Sequence, residues 1–228
     1  MTRLPIALAC VLAACGGEDT SARAQAPSAG GGASSHVRDF CGAPDEARIR
    51  AAHPELPRCG DRAYTYLQAQ VGGHPLLAIA HGADPCCTDT GGMDLGAHVY
   101  VDGRSWSGMD PILLPSPPAD ASEAMAWLQA ELMRLLVVRP AVDAAAVRAS
   151  WSDAARALER HALGLERTAA GWRLRAASVE REQERGIDCR SLVIFEAELS
   201  GTRVTTRRVA TYGAGEARGA PCPGDPLP

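Results

Sequence analysis

Hydrophobic and polar residues alternate at two periods along this chain, and the switches between them mark its elements. Residues 64–71 (YTYLQAQV) and 76–80 (LLAIA) are largely apolar runs parted by a break at Gly72 and Gly73. That spacing predicts a β-hairpin, because a tight turn needs positive φ, which glycine adopts without steric cost. Residues 97–101 predict a third strand, closed by Asp102 and Gly103, a second turn-forming pair. Ahead of the hairpin, Glu46–Ala52 reads as a short helix stopped near His53 and Pro54.

From Asp120 the period lengthens. Met125, Leu128, Leu132, Leu135 and Leu136 form an apolar stripe at helical spacing, and Asp120 stands three residues before Glu123, as in a capping box. Trp127 falls off that stripe and reads as an exposed contact patch. A second helix is expected over residues 143–163, where Val147, Trp151, Ala154, Leu158 and Ala162 recur every three or four positions. Gly164 would cap it, and His161 near its end suits the negative pole of the helix dipole.

Beyond this point the period falls to two. Trp172, Leu174 and Ala176 alternate with Arg173 and Arg175, and Val193, Phe195, Ala197 and Leu199 alternate with Glu196 and Glu198. Ser200 and Gly201 then turn the chain into a further strand over residues 203–211. The elements together predict an α+β fold, an antiparallel sheet packed with two main helices. Residues 114–118 (LPSPP) form the one candidate internal boundary, but a chain of this length buries a single core without a split.

The first fifteen residues, MTRLPIALACVLAAC, follow neither period: Arg3 precedes an apolar run too short to span a bilayer. Leu12, Ala13, Ala14 and Cys15 resemble a bacterial lipobox, the signature of lipoprotein signal peptides. The resemblance implies cleavage before Cys15, diacylglycerol on its sulfur and an acyl chain such as palmitate on its amine. Residues 1–14 are then the signal peptide, 15–37 the lipidated cysteine with a flexible Gly-, Ala- and Ser-rich tether, and 38–228 a single globular domain. Gly16 after the cysteine resembles lipoproteins passed on to an outer membrane, where the cell has one. Membrane lipid, through Cys15, is the first expected partner, and the cell envelope the expected location.

Export changes the reading of the cysteines. With Cys10 in the signal and Cys15 lipidated, Cys41, Cys59, Cys86, Cys87, Cys189 and Cys222 remain, an even number suited to a disulfide-stapled domain. Cys41 and Cys59 can close a local loop, while Cys189 and Cys222 can tie the last strands and the proline-rich tail to the core. Adjacent Cα atoms lie about 3.8 Å apart, below the roughly 4.4–6.8 Å span of a disulfide, so bonding Cys86 to Cys87 requires a distorted eight-membered ring. Each of the two is expected to bridge to a different partner; a vicinal disulfide and a free or metal-bound pair are the alternatives.

Candidate chemistry gathers in the same stretch. His81, Asp84, Asp89 and His98 are the candidate metal ligands around Cys86 and Cys87, with His74 as a further donor. A calcium version uses Asp84, Asp89 and Asp94 with Asp102 or Asp110. None of these has the spacing of an established metal motif. Residues 103–108 (GRSWSG) narrowly miss the GxSxG nucleophile elbow, since Ser107 stands where glycine is required. No phosphate-cradling motif is present and no cofactor is expected. A net charge of −4 with scattered arginines and no lysine argues against nucleic acid. The expectation is therefore a non-catalytic binding or envelope-associated lipoprotein, recognising an envelope protein or peptide. The alternative is an envelope hydrolase or metal-binding protein centred on residues 81–98.

Overall fold

The computed structural model describes residues 36–56, 58–59, 62–83, 96–106, 112–135, 137–184, 187–217, 220–222 and 224–227. The lipobox, Cys15, the Cys86 and Cys87 pair, Asp84, Asp89, Asp94 and Asp110 lie outside these residues. Gly32–Pro228 forms one compact unit. The fold is α+β, with two largely antiparallel sheets where one was expected and, among the described residues, four α-helices where two main ones were expected.

The first sheet is built by β1 (Arg38–Asp39), β2 (Arg62–Val71), β3 (His74–Ala83), β4 (Gly96–Val101) and β5 (Arg104–Trp106), each paired antiparallel to the next. Gly72 and Gly73 form the expected β2–β3 turn at φ +57° and +82°. Asp102 and Gly103 join β4 to β5, also at positive φ. Strand alternation gives this sheet two apolar faces. Leu67, Val71, Leu76, Ala78, Ala80, Val99 and Val101 point inward, while Tyr64, Tyr66 and Ile79 meet Phe40, Ile49 and Leu56 around α1 (Glu46–Ala52) on the other side.

Helix α2 (Ala121–Arg134) lies against the inward face. Asp120 Oδ1 accepts from the Glu123 N–H at 2.9 Å, the expected cap, and Glu123 Oε2 in turn accepts from the N–H groups of Ala119 and Gly72 at 2.8 and 2.9 Å. The helix is therefore tied at its start to the β2–β3 turn. Every residue from Ala124 to Met133 is buried, because the second sheet covers its opposite side. Trp127 is fully buried, not an exposed contact patch: a helix held between two sheets has no solvent side. Glu131 and Arg134 sit in this interior as a hydrogen-bonded ion pair, with Nη2 2.6 Å from Oε1 and Nε 2.9 Å from Oε2.

The second sheet comprises β6 (Gly164–Arg167), β7 (Gly171–Glu184), β8 (Ile187–Ser200), β9 (Arg203–Ala217), β10 (Ala220–Pro221) and β11 (Asp225–Pro226), the last running parallel to β9. Leu174, Ala176, Ala197, Leu199 and Val204 face α2. On the reverse face, Ala177, Leu192, Ile194 and Tyr212 pack under Val147, Trp151, Ala154, Ala157 and Leu158. These last residues do not belong to one helix. The expected helix over 143–163 is divided into α3 (Ala144–Ser150), a 3-10 turn (Ser152–Ala154) and α4 (Ala155–Arg160), with Trp151 extended at φ −152° between them. Ser150, Ser152 and Asp153 flank the break, and their short polar side chains compete for backbone groups, while the extended backbone sends Trp151 into the core. Gly164 accordingly begins β6, at φ +125°, and is no helix cap.

The half of that reverse face left uncovered by helices is charged. Glu196 is 1% exposed, accepting from Arg175 Nε at 2.8 Å and Arg207 Nε at 2.9 Å, while Arg173 bonds Glu198 and Glu166. Burial pushes the Glu196 pKa up, but the hydrogen bonds from Arg207 and Arg175 outweigh it and leave the carboxyl below its usual range. A depressed folded-state pKa adds stability above the unfolded value of about 4.3, and that stability is lost as pH falls through the folded value. Glu196→Gln is therefore expected to lower stability at pH 7 by about 2 kcal/mol, the scale of a charge-assisted hydrogen bond. Urea unfolding should show the gap to the unmodified protein narrowing as pH drops below about 4.

Candidate functional site

The outward face of the first sheet carries the candidate site. The β2–β3 register sets Tyr64 opposite His81, and the β3–β4 register sets His81 opposite Gly96 and Ile79 opposite His98. Because residues two apart share a face, Tyr64, His81 and His98 stand on one side of three neighbouring strands. Their rings form a row: Tyr64 to His81 is 5.2 Å between centroids with planes at 31°, and His81 to His98 is 5.9 Å at 25°. Tyr64 and His81 are buried and His98 is half-buried. The Tyr64 hydroxyl is buried without a hydrogen-bond partner among the described residues, an arrangement that costs free energy unless another group uses it.

Gly96 makes room for the row. A Cβ there would lie 2.1 Å from His81 Nε2, so any larger residue would displace the imidazole. Farther along β4, the Tyr100 hydroxyl donates to Glu55 Oε1 at 2.5 Å, and the His53 ring lies 3.9 Å from the Tyr100 ring. Burial, then the bond to Glu55, pushes the Tyr100 pKa well up, and the phenol remains protonated at all physiological pH. On the same side, the Tyr66 hydroxyl donates to Asp45 Oδ1 at 2.9 Å. The Cys41–Cys59 disulfide spans the segment carrying α1, His53 and Glu55 and so fixes what covers this face.

Two of the four candidate metal ligands are thus brought together, His81 and His98. Asp84 and Asp89 belong to residues outside the description, as do Cys86 and Cys87. His74 is excluded from the site: it sits at the far end of β3, where its Nδ1 is 2.8 Å from Asp102 Oδ2. That contact also occupies Asp102, the calcium candidate, within its tight turn. Ser105 of GRSWSG pairs in register with Tyr100 and lies outside the ring row. His161 places its Nε2 2.9 Å from the Tyr212 hydroxyl, and burial, followed by the charges of Arg175 and Arg160, pushes its pKa down.

Cys41 bonds Cys59 and Cys189 bonds Cys222. This pairing changes the position of Cys86 and Cys87. The four other cysteines expected in the mature domain are bonded to one another, so none is left for the two divergent bridges expected of that pair. Tyr64 is the participant that sequence reasoning did not single out. No helix among the described residues is long and apolar enough to cross a membrane, and they hold no group of three or more His, Cys, Asp or Glu side chains able to share a metal ion. No family model, no curated protein and no solved structure matches this chain.

Proposed function

We propose that this protein is a membrane-anchored extracytoplasmic lipoprotein whose domain has a non-catalytic, binding or envelope-associated role. The observation that carries the reading is the pair of disulfides, each drawing separate segments together, in a chain that begins with a lipobox-like sequence. Disulfides persist where thiols are oxidised, as they are outside the cytoplasm, and a lipidated Cys15 would hold the domain there. Gly16 directs the proposal toward an outer membrane where the cell has one. The partner class is an envelope protein or peptide.

Cys15→Ser tests the anchor. Each buried methylene contributes about 0.8 kcal/mol, and several acyl chains act together, so the unmodified protein should sediment with membranes while the variant is released in soluble form. Equal membrane partition of the two would remove the lipid anchor from the account. A second reading, a metal-binding protein centred on residues 81–98, is favoured by the proximity of His81 and His98.

A further inference from the structure

We infer that the Cys41–Cys59 disulfide is a redox-sensitive latch, opened by a dithiol reductant, that holds α1 over the outward face of the first sheet. The inference goes beyond the binding role proposed above and does not depend on the lipid anchor.

The two disulfides stand in opposite surroundings. Cys189 and Cys222 are 5% and 7% exposed, sealed where the tail crosses the second sheet. Cys41 is exposed and Cys59 half-buried, so a thiol reaches this pair without any opening of the fold. Exposed disulfides are the labile class, and buried ones resist reduction.

The neighbours of Cys59 set the direction of attack. Arg50 Nη2 lies 2.9 Å from Cys59 Sγ, while Arg50 Nε donates to Glu46 Oε1 at 2.7 Å and the guanidinium stands 5.1 Å from the Phe40 ring centroid. Glu46 is fixed in turn, its Oε2 accepting from the Gly42 N–H at 2.7 Å. A guanidinium held in this way stabilises a thiolate leaving on Cys59, and the sulfur that carries negative charge more easily leaves faster. Glu46 Oε1, 3.3 Å from the same sulfur, repels an incoming thiolate from Cys59. That carboxylate opposes the leaving thiolate as well, but it is paired with Arg50, whose guanidinium lies nearer the sulfur.

Attack therefore falls on Cys41. One thiolate of the dithiol bonds to Cys41 Sγ, the bond between the two protein sulfurs breaks, and its electron pair leaves on Cys59. The second thiolate of the reductant then attacks the reductant sulfur of this mixed disulfide and releases Cys41. The dithiol departs as a disulfide, oxidised by two electrons, and its two protons pass through water to Cys41 and Cys59. The closed bond spans a sequence separation of 18 and carries α1, whose seven residues are too few to hold a helix alone. Ile49 of α1 and Leu56 beyond it are buried against Phe40, Tyr64, Tyr66 and Ile79, so opening the bond loosens the cover of an apolar face.

The test uses the full-length oxidised protein, treated with dithiothreitol, alkylated at intervals and mapped by peptide mass. Cys41–Cys59 should open roughly 10-fold faster than Cys189–Cys222 or more. A brief exposure to reduced glutathione should leave glutathione on Cys41 and an alkylated thiol on Cys59. Arg50→Gln, its fold checked by circular dichroism, should slow the opening roughly threefold or more, and Arg50→Lys should restore the rate. Loosening of the loop by the substitution would speed reduction instead, so the sign separates a charge effect from a structural one. Hydrogen exchange should show residues 46–52 losing protection on reduction while β7, β8 and β9 keep theirs. Equal or faster opening of Cys189–Cys222, glutathione on Cys59, an unchanged or faster rate in Arg50→Gln, or full protection of α1 after reduction would each overturn the proposal. None of these outcomes bears on the Cys15-dependent membrane partition, so the two readings fail separately.

Discussion

Trp127→Ala is expected to destabilise the protein by about 3–5 kcal/mol, the largest effect of any single substitution proposed here. The indole is fully buried at the middle of α2, and its cluster draws residues from both sheets, including Leu67 and Ala78 from the first and Leu174 and Ala197 from the second. Removing it opens a cavity between two layers that cannot both collapse into the space. Trp127→Phe should be far milder, about 1 kcal/mol or less. The ring volume is mostly kept, and the buried Nε1–H, which has no hydrogen-bond partner among the described residues, is removed along with its desolvation cost. Urea unfolding followed by far-UV circular dichroism and by tryptophan fluorescence checks both variants. Because α2 serves both sheets, the two probes should report one coincident transition. Two separate transitions would mean that the sheets do not share a core.

The second large effect concerns the tail. Cys222 bonds Cys189 of β8 across a sequence separation of 33, and β10 and β11 then lie along β9. Gly215, opposite Cys189, makes this crossing possible: it has φ +102°, and a Cβ there would come within 1.9 Å of the Asp188 carbonyl oxygen. Loop-closure entropy assigns a bond of this span about 4 kcal/mol, against about 3 kcal/mol for Cys41–Cys59. The paired variant Cys189→Ser/Cys222→Ser should therefore lower the unfolding free energy by about 4 kcal/mol in denaturant titration. A loss under about 1 kcal/mol would show that the tail lies outside the cooperative unit.

Much of the first sheet can be counted from the sequence. With Gly72 and Gly73 as turn residues, Val71 faces His74, and seven steps outward Tyr64 faces His81. His98 is different, since residues 84–95 separate β3 from β4 and leave their register open to sequence reasoning. In the second sheet, the alternation of arginine and glutamate foretells a charged face. It does not foretell that Glu196 is buried between Arg175 and Arg207, which depends on three strands in register.

The helices are where periodicity misleads, for two physical reasons. A stripe identifies the buried face of a helix with one solvent side, and α2 has none, so Trp127 reads as exposed although it is central. Apolar spacing of three and four continues through Trp151 even though the backbone does not. The warning there lies in the local chemistry of Ser150, Ser152 and Asp153. The disulfides are readable as an even set of cysteines, but which sulfur meets which depends on the fold, and that pairing redefines Cys86 and Cys87.

The central claim, a disulfide-stapled domain held outside the cytoplasm by a lipidated cysteine, is tested most directly by intact mass with non-reducing peptide mapping of protein extracted from native membranes. The account predicts a chain beginning at Cys15 with diacylglyceryl and acyl mass, and crosslinked peptides joining Cys41 to Cys59 and Cys189 to Cys222. An unlipidated chain that still begins at Met1, or free thiols at those four cysteines, would contradict it.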